Sequence, residues 1–131
     1  MKILITGANG QLGNEMQVLA KENTQHDYIF TDVQELDICD EQAVRTFVKE
    51  NGVEVIVNCA AYTNVERAED DVEQAQKINA EAVAILAAAA KSANATLILF
   101  VCATFIYMQT QHLFAFCTTE TTPLLPCGKG V

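Results

Sequence analysis

Residues 5–13 read ITGANGQLG and follow directly on a short apolar run. Gly7, Gly10 and Gly13 stand three apart where the pattern changes from strand to helix. A helix that begins there leaves its first backbone N–H groups without partners. Those groups, with the helix dipole, bind anions, and a pyrophosphate reaches them only where no Cβ stands in the way. On this reading Gly7 makes the turn, Gly10 admits the phosphates and Gly13 lets the first helix lie against the sheet. The spacing is GxxGxxG, one residue longer between the first two glycines than the usual dinucleotide fingerprint GxGxxG. The surroundings add to it. Asp32 stands 22 residues beyond Gly10, at the end of the next apolar segment. The fingerprint places an acid there to accept hydrogen bonds from the adenosine ribose. The chemistry implied is the holding of a dinucleotide. The plain structural alternatives are a glycine turn with nothing bound and an Asp32 that only ends a strand.

Such a loop needs a strand before it, a helix after it and a sheet to carry both. Residues 2–6, KILIT, read as the strand, and 11–22, QLGNEMQVLAKE, as the helix, with Leu12, Met16, Leu19 and Ala20 on one face. DYIFTD at 27–32 is a second strand. Residues 40–50 form a second helix, with Asp40 as N-cap, Ala43, Val44, Phe47 and Val48 as its apolar face, and Asn51-Gly52 as its stop. VEVIVNCAA at 53–61 is a third strand. A longer helical region spans about 65–90, where Val72, Ala75, Ile78, Ala82, Ile85 and Ala89 recur at helical spacing. ATLILFV at 95–101 is a fourth strand. The alternation predicts an α/β fold: a Rossmann-type, three-layer αβα parallel sheet within a single domain over 1–131. The strands ILI and VIV are apolar throughout, as strands covered on both faces are. From 102 to 131 the rhythm stops and the chain reads as an irregular tail.

The bulk properties narrow the partners. With 17 acidic residues against 8 basic, the net charge is −9. That argues against nucleic acid or an anionic membrane, but not against a nucleotide held by backbone N–H groups. The longest apolar stretch, LILFVCATFIY at 97–107, is too short for a spanning helix, which needs about 20 residues. No targeting segment is visible, and a cytoplasmic protein is expected. The five cysteines have no CxxC spacing and His26 and His112 stand alone, so reduced, packed thiols and no metal site are expected.

The glycine loop in this position resembles that of the extended short-chain dehydrogenase/reductase family. VNCAAYTNVERAEDD at 57–71, MKILITGANGQLGNEM at 1–16 and DVQELDICD at 32–40 resemble its dTDP-4-dehydrorhamnose reductase branch, over about residues 1–100. The resemblance implies an oxidoreductase of dTDP-rhamnose synthesis that passes hydride from NADPH or NADH to a dTDP-4-keto sugar. It places Gly10, Gln11 and Leu12 at the pyrophosphate and Asp32 and Val33 at the adenosine ribose. Asp37 and Ile38 fall near the adenine, and Ala60, Ala61, Tyr62 and Thr63 along the nicotinamide side. Ala60 and Ala61 also follow a buried strand, at the carboxyl edge where open α/β sheets bind ligands, although core packing would suit them equally. Asn58 could hold loop backbone rather than cofactor. Asp32, with no Arg beside it, disfavours a 2′-phosphate and leans toward NADH, while the family resemblance implies either dinucleotide.

The resemblance weakens in the tail. Family members carry a segment close to STDYVFDG, whose Thr and Asp contact substrate; here it is CATFIYMQ at 102–109, so that Ala103 and Thr104 occupy the substrate positions. The family's proton-donating Tyr and its Lys four residues on are missing. Asp32, Glu66 and Gln111 follow Tyr28, Tyr62 and Tyr107 at that distance, and Cys127 and Val131 take the expected places. The expectation is a nucleotide-binding half, truncated after about the fourth strand, without its substrate lobe and inactive alone. The alternative is a non-catalytic nucleotide-binding or interaction module. With the usual strand order 3-2-1-4-5-6 the fourth strand would be an apolar edge, a place for a homodimer or for the tail to fold back.

Overall fold

The computed structural model describes residues 1–62 and 71–100. The elements run β1 (Lys2–Thr6), α1 (Gln11–Glu22), β2 (Asp27–Thr31), α2 (Glu41–Asn51), β3 (Val55–Asn58), α3 (Val72–Gln76), a π-turn (Lys77–Glu81), α4 (Ala82–Ala93) and β4 (Thr96–Leu99). All strand pairs are parallel, as the alternating pattern requires. This is the expected Rossmann-type α/β sheet.

The order is β2-β1-β3-β4, which corrects one expectation. In the order 3-2-1-4 the third strand would lie outside β2. Here β3 pairs with β1, with Ile3 opposite Val55 and Thr6 opposite Asn58. The physical reason is in the connection after β2. Leu36 and Ile38 there are buried, yet residues 32–40 form turns, so they fill core without adding a strand. The chain then crosses β1 through α2 and lands on its other side. The change of direction falls between β1 and β3, where ligands of open α/β sheets bind, at the carboxyl ends of the strands.

Side-chain alternation divides the sheet into two faces. Leu4 and Ile56, with Ile29 and Leu97 beside them, pack under Val44 and Val48 of α2 and Ala82, Leu86, Ala89 and Ala90 of α4. Leu4, Val44, Ile56 and Leu86 are fully buried, and each such side chain contributes about 1.5–3 kcal/mol by leaving water. This layer is the main core. The small residues of α4, Ala82, Ala89 and Ala90 among them, let that helix approach the sheet closely. The opposite face is thinner: Ile3, Ile5 and Val57 are buried, with Met16, Tyr28 and Phe30 partly so.

Local signals hold at some positions and fail at others. Asp40 caps α2, its carboxylate accepting the Ala43 N–H at 2.9 Å, and Gly52 ends that helix in the left-handed region. By contrast, Leu19 of α1 is 49 % exposed, because among the described residues α1 contributes only its Gly13–Met16 side to packing. In the longer helical region Val72 is exposed on the first turn, and Leu86 rather than Ile85 takes the fully buried place. The buried stripe is Ala75, Ala82, Leu86 and Ala89, and the π-turn interrupts it.

Candidate functional site

Three chain segments meet at the carboxyl edge of β1: the glycine turn, the residues after β2 and the residues after β3. Gly7 has φ +65, and a Cβ there would lie 2.6 Å from the backbone N and Cα of Ala60. It is glycine both because the turn is left-handed and because the β3 loop presses on it. Gly13 is buried, and a Cβ there would lie 2.6 Å from Ala8 Cα. It seats α1 on its own preceding turn, rather than on the strands as expected.

Gly10 differs from both. It has extended backbone at the N-cap, and a Cβ would meet only the Gly7 carbonyl oxygen, at 3.3 Å. The fold therefore demands glycine at 7 and 13 and barely demands it at 10. Asn14 N–H makes the first helical bond, to Gly10 C=O. The Gln11, Leu12 and Gly13 N–H groups come before it, no side chain caps them, and no acidic residue lies in the first turn. An uncapped amino terminus with backbone access is what an anionic ligand needs.

The turn is braced from several sides. Ala8 N–H donates to Thr31 C=O at 3.1 Å, and Gln17 donates from α1 to Ala8 C=O at 2.8 Å. The Asp32 carboxylate accepts the Asn9 N–H at 2.9 Å and the Val33 N–H at 2.8 Å. Asp32 therefore ties β2 to the glycine turn, and each oxygen keeps a lone pair for a further donor such as a ribose hydroxyl.

After β3 the chain is held by a row of buried polar residues. Thr31, Thr6 and Asn58 stand in register across three strands. Thr6 Oγ1 donates to Asn58 Oδ1 at 2.6 Å, and the same oxygen accepts the Ala60 N–H at 3.2 Å. Asn58 thus does hold loop backbone. Ala60 and Tyr62 are half-buried and Ala61 is exposed. Tyr62 N–H donates to Asn79 Oδ1 at 2.8 Å, and Asn79 Nδ2 donates to Tyr62 C=O at 3.2 Å. Asn79 did not figure among the sequence candidates. The signal was an amide on a stripe of small apolar residues, four after Ala75 and three before Ala82.

The remaining candidates divide. Val33 is exposed beside Asp32, and Asp37 is exposed with its carboxylate accepting the Cys39 N–H at 2.9 Å. The Ile38 side chain is in the core, which leaves only its backbone to face a ligand. Thr63, Ala103 and Thr104 lie outside the described residues. Burial pushes the Cys59 thiol above its ordinary range, away from the thiolate form. Among the described residues no cluster of three metal-ligating side chains occurs, and no helix is long and apolar enough to cross a membrane. A concavity of about 460 Å³ draws its lining, Gln42 to Glu50, from α2 alone and includes nothing of the glycine turn. It does not compete with this edge of the sheet as the site.

The family of the RmlD substrate binding domain matches residues 1–124. The chain belongs to that family. Within it, the chain is 43 % identical over 122 residues to dTDP-4-dehydrorhamnose reductase of Mycolicibacterium smegmatis, covering 92 % of this chain and 33 % of the relative. A crystal structure of a dTDP-4-dehydrorhamnose reductase from Clostridium acetobutylicum is similar at 49 % identity and TM-score 0.71, over 74 % of this chain and 34 % of that one. Another, from Bacillus anthracis in complex with NADP, is similar at 36 % identity and TM-score 0.69, over 73 % and 34 %. The reductase resemblance read from the glycine turn and residues 57–71 is borne out. The chain spans about a third of the length of the family members it matches.

Proposed function

We propose that the chain is the NAD(P)-binding part of a dTDP-4-dehydrorhamnose reductase-type oxidoreductase. The observation that carries this reading is the open amino terminus of α1: three backbone N–H groups with no cap, and a Gly10 that packing does not require. The Gln11, Leu12 and Gly13 N–H groups would hold a pyrophosphate, and Asp32 would accept from the adenosine ribose. Ala60, Ala61 and Tyr62 would line the nicotinamide side, the small side chains of the two alanines leaving room for a flat ring. The NADP held by the Bacillus anthracis relative supports a nicotinamide dinucleotide. Asp32, a fixed negative charge, favours a 2′-hydroxyl, so NADH and NADPH are both candidates with NADH preferred. When bound, the dinucleotide supplies hydride for reduction of a dTDP-4-keto sugar. A protein with this ligand, whose five cysteines show no CxxC spacing and whose Cys39 and Cys59 are free thiols, fits the reducing cytoplasm.

A specific observation favours a second reading, a nucleotide-binding module without a reaction of its own. No Tyr in these 131 residues is followed by Lys four positions on. Acid–base catalysis of the kind that pair provides contributes about 10²–10⁴-fold, so the 131-residue chain is expected to bind dinucleotide without turning over. Thermal denaturation with NADH, NADPH and ADP tests the shared part. A ligand at about 100 times its Kd adds about 2.7 kcal/mol to native stability, which raises Tm by several degrees; no shift with any of them refutes the reading. NADH oxidation with dTDP-4-dehydro-6-deoxy-L-mannose then separates the two, since turnover at a reductase's rate would exclude the silent module.

The edge of the sheet suggests a partner. Among the described residues β4 pairs only with β3, and Ile98 and Phe100 are exposed. Open apolar edges pair with other chains. A homodimer through β4 is therefore proposed, and sedimentation equilibrium should show twice the chain mass at high concentration; a clean monomer there excludes it.

A further inference from the structure

We propose that Gln17 is a positioning residue for dinucleotide binding: it holds the Ala8–Asn9 peptide group so that the Asn9 N–H sets the Asp32 carboxylate where the adenosine ribose meets it. The inference rests on the dinucleotide reading given above. It starts from one peptide group held at both ends. The Ala8 C=O and the Asn9 N–H belong to the same planar unit and point to opposite sides of it. Gln17 Nε2 donates to that C=O at 2.8 Å, and that N–H donates to Asp32 Oδ2 at 2.9 Å. Among the described residues Gln17 is the one donor to the Ala8 carbonyl. The neighbouring Asn9 carbonyl has only the Asn14 amide, at 3.4 Å, a much weaker hold.

The sequence of α1 suits this contact. Gly13 and Gln17 are four apart and Ala20 is three further on, so the three share one face of the helix. Gly13 is buried and Gln17 and Ala20 are half-buried, while Val18 and Leu19 are exposed. On such an inward face an apolar residue would be expected at 17. A Cβ on Gly13 would lie 2.6 Å from both the Cα and the carbonyl oxygen of Ala8. The missing side chain at 13 lets the Ala8 peptide settle on the helix. Gln17, one turn further along, supplies the donor that its carbonyl then needs.

Asp32 depends on the same peptide. Its two carboxylate oxygens accept one backbone N–H each, from Asn9 and from Val33. Val33 is its chain neighbour and turns with it, so Asn9 is the contact that registers the carboxylate against the glycine turn. Rotation of the Ala8–Asn9 peptide would bring a carbonyl oxygen toward that carboxylate in place of the N–H. The Ala8 N–H is fixed on the Thr31 C=O at 3.1 Å, and glycine at 10 leaves the chain free to turn on the far side. This rotation is the motion that Gln17 opposes. Displacements of about 1 Å in a site have large consequences, and by this route Gln17 acts on the ligand through Asn9 and Asp32 without touching it.

The test uses the full chain as Gln17→Met, Asp32→Ala and the double variant. The readouts are amide hydrogen exchange at Asn9, NADH affinity by fluorescence titration, and Tm without ligand. Methionine keeps the side-chain length and the helix propensity and removes the donor. In Gln17→Met, exchange at Asn9 should be faster by about tenfold or more. NADH binding should be weaker by about tenfold, with Tm within about 3 °C of wild type. Asp32→Ala should weaken NADH by about tenfold or more. Residues that act independently multiply their losses to within about twofold. Since Gln17 works through Asp32, its substitution should cost less in the Asp32→Ala background than in wild type, by more than that factor. Equal costs in the two backgrounds, or unchanged Asn9 exchange in Gln17→Met, overturn the inference alone while wild-type binding stands. So does an affinity loss matched by a collapse of Tm, which would mark Gln17 as merely structural. If the wild-type chain binds neither NADH nor NADPH, the functional reading falls and this inference with it.

Discussion

Gly10→Ala should abolish most dinucleotide binding while leaving the fold nearly as stable as before. The two effects separate because of what surrounds the position. At φ −76 and ψ 172 the backbone is one that alanine adopts freely. The added Cβ would meet only the Gly7 carbonyl oxygen, at 3.3 Å, a tight contact relieved by a shift of a few tenths of an ångström. Alanine is a poorer N-cap than glycine, but by less than about 1 kcal/mol. A pyrophosphate on the Gln11 and Leu12 N–H groups would have to approach across this carbon. Hydrogen bonds to charged groups are each worth about 1.5–3 kcal/mol, so losing even one of them weakens binding by about 10- to 100-fold. Calorimetric titration with NADH and a parallel Tm measurement check both halves. Undiminished affinity in Gly10→Ala would remove the basis for the proposed function, because Gly10 would then have no account either from packing or from ligand access.

The contrast among the three glycines was not legible in the sequence, although their presence was. GxxGxxG between an apolar run and an amphipathic segment announces a strand–turn–helix, and residues 2–22 form it. What each glycine avoids depends on atoms distant in sequence: Gly7 on Ala60, Gly13 on Ala8 and the Gly7 carbonyl. Strand order failed for a related reason. Leu36 and Ile38 carry the apolar signal of a strand's worth of core but sit on turns, and no local rule says whether the chain returns beside β2 or crosses to β1. The Asp32 position was readable from spacing; its bond to the Asn9 N–H, which makes it a brace for the turn, was not. Asn79 was hidden by periodicity itself. Ile78 and Asn79 compete for the same face, hydrophobicity chose Ile78, and the π-turn gave the place to the amide. In each case the type of element came from local pattern, while the residue's duty came from a tertiary contact that pattern does not encode.

The same contacts predict a second large effect of opposite kind: Gly7→Ala should cost fold stability first and binding only as a consequence. At φ +65 an L-residue carries a penalty of about 1–2 kcal/mol. Its Cβ would also stand 2.6 Å from both the N and Cα of Ala60, and these are backbone atoms that no rotamer change can move aside. Ala60 in turn is tied to Asn58 Oδ1, and Asn58 to Thr6 on the buried polar row, so the loop cannot withdraw without breaking that row. Overpacking of this sort costs about 1–3 kcal/mol, and the two terms together reach about 2–5 kcal/mol, a large share of the 5–15 kcal/mol that holds a domain folded. Thermal denaturation of Gly7→Ala should show Tm lowered by about 10 °C or more. The Gly10→Ala protein under identical conditions should stay within a few degrees of wild type. A Gly7→Ala protein as stable as wild type would mean that the β1–α1 turn and the β3 loop are not in the contact that fixes the site's floor. The separation of the two variants is the sharper criterion, since it requires one glycine to serve the fold and its neighbour three residues on to serve the ligand.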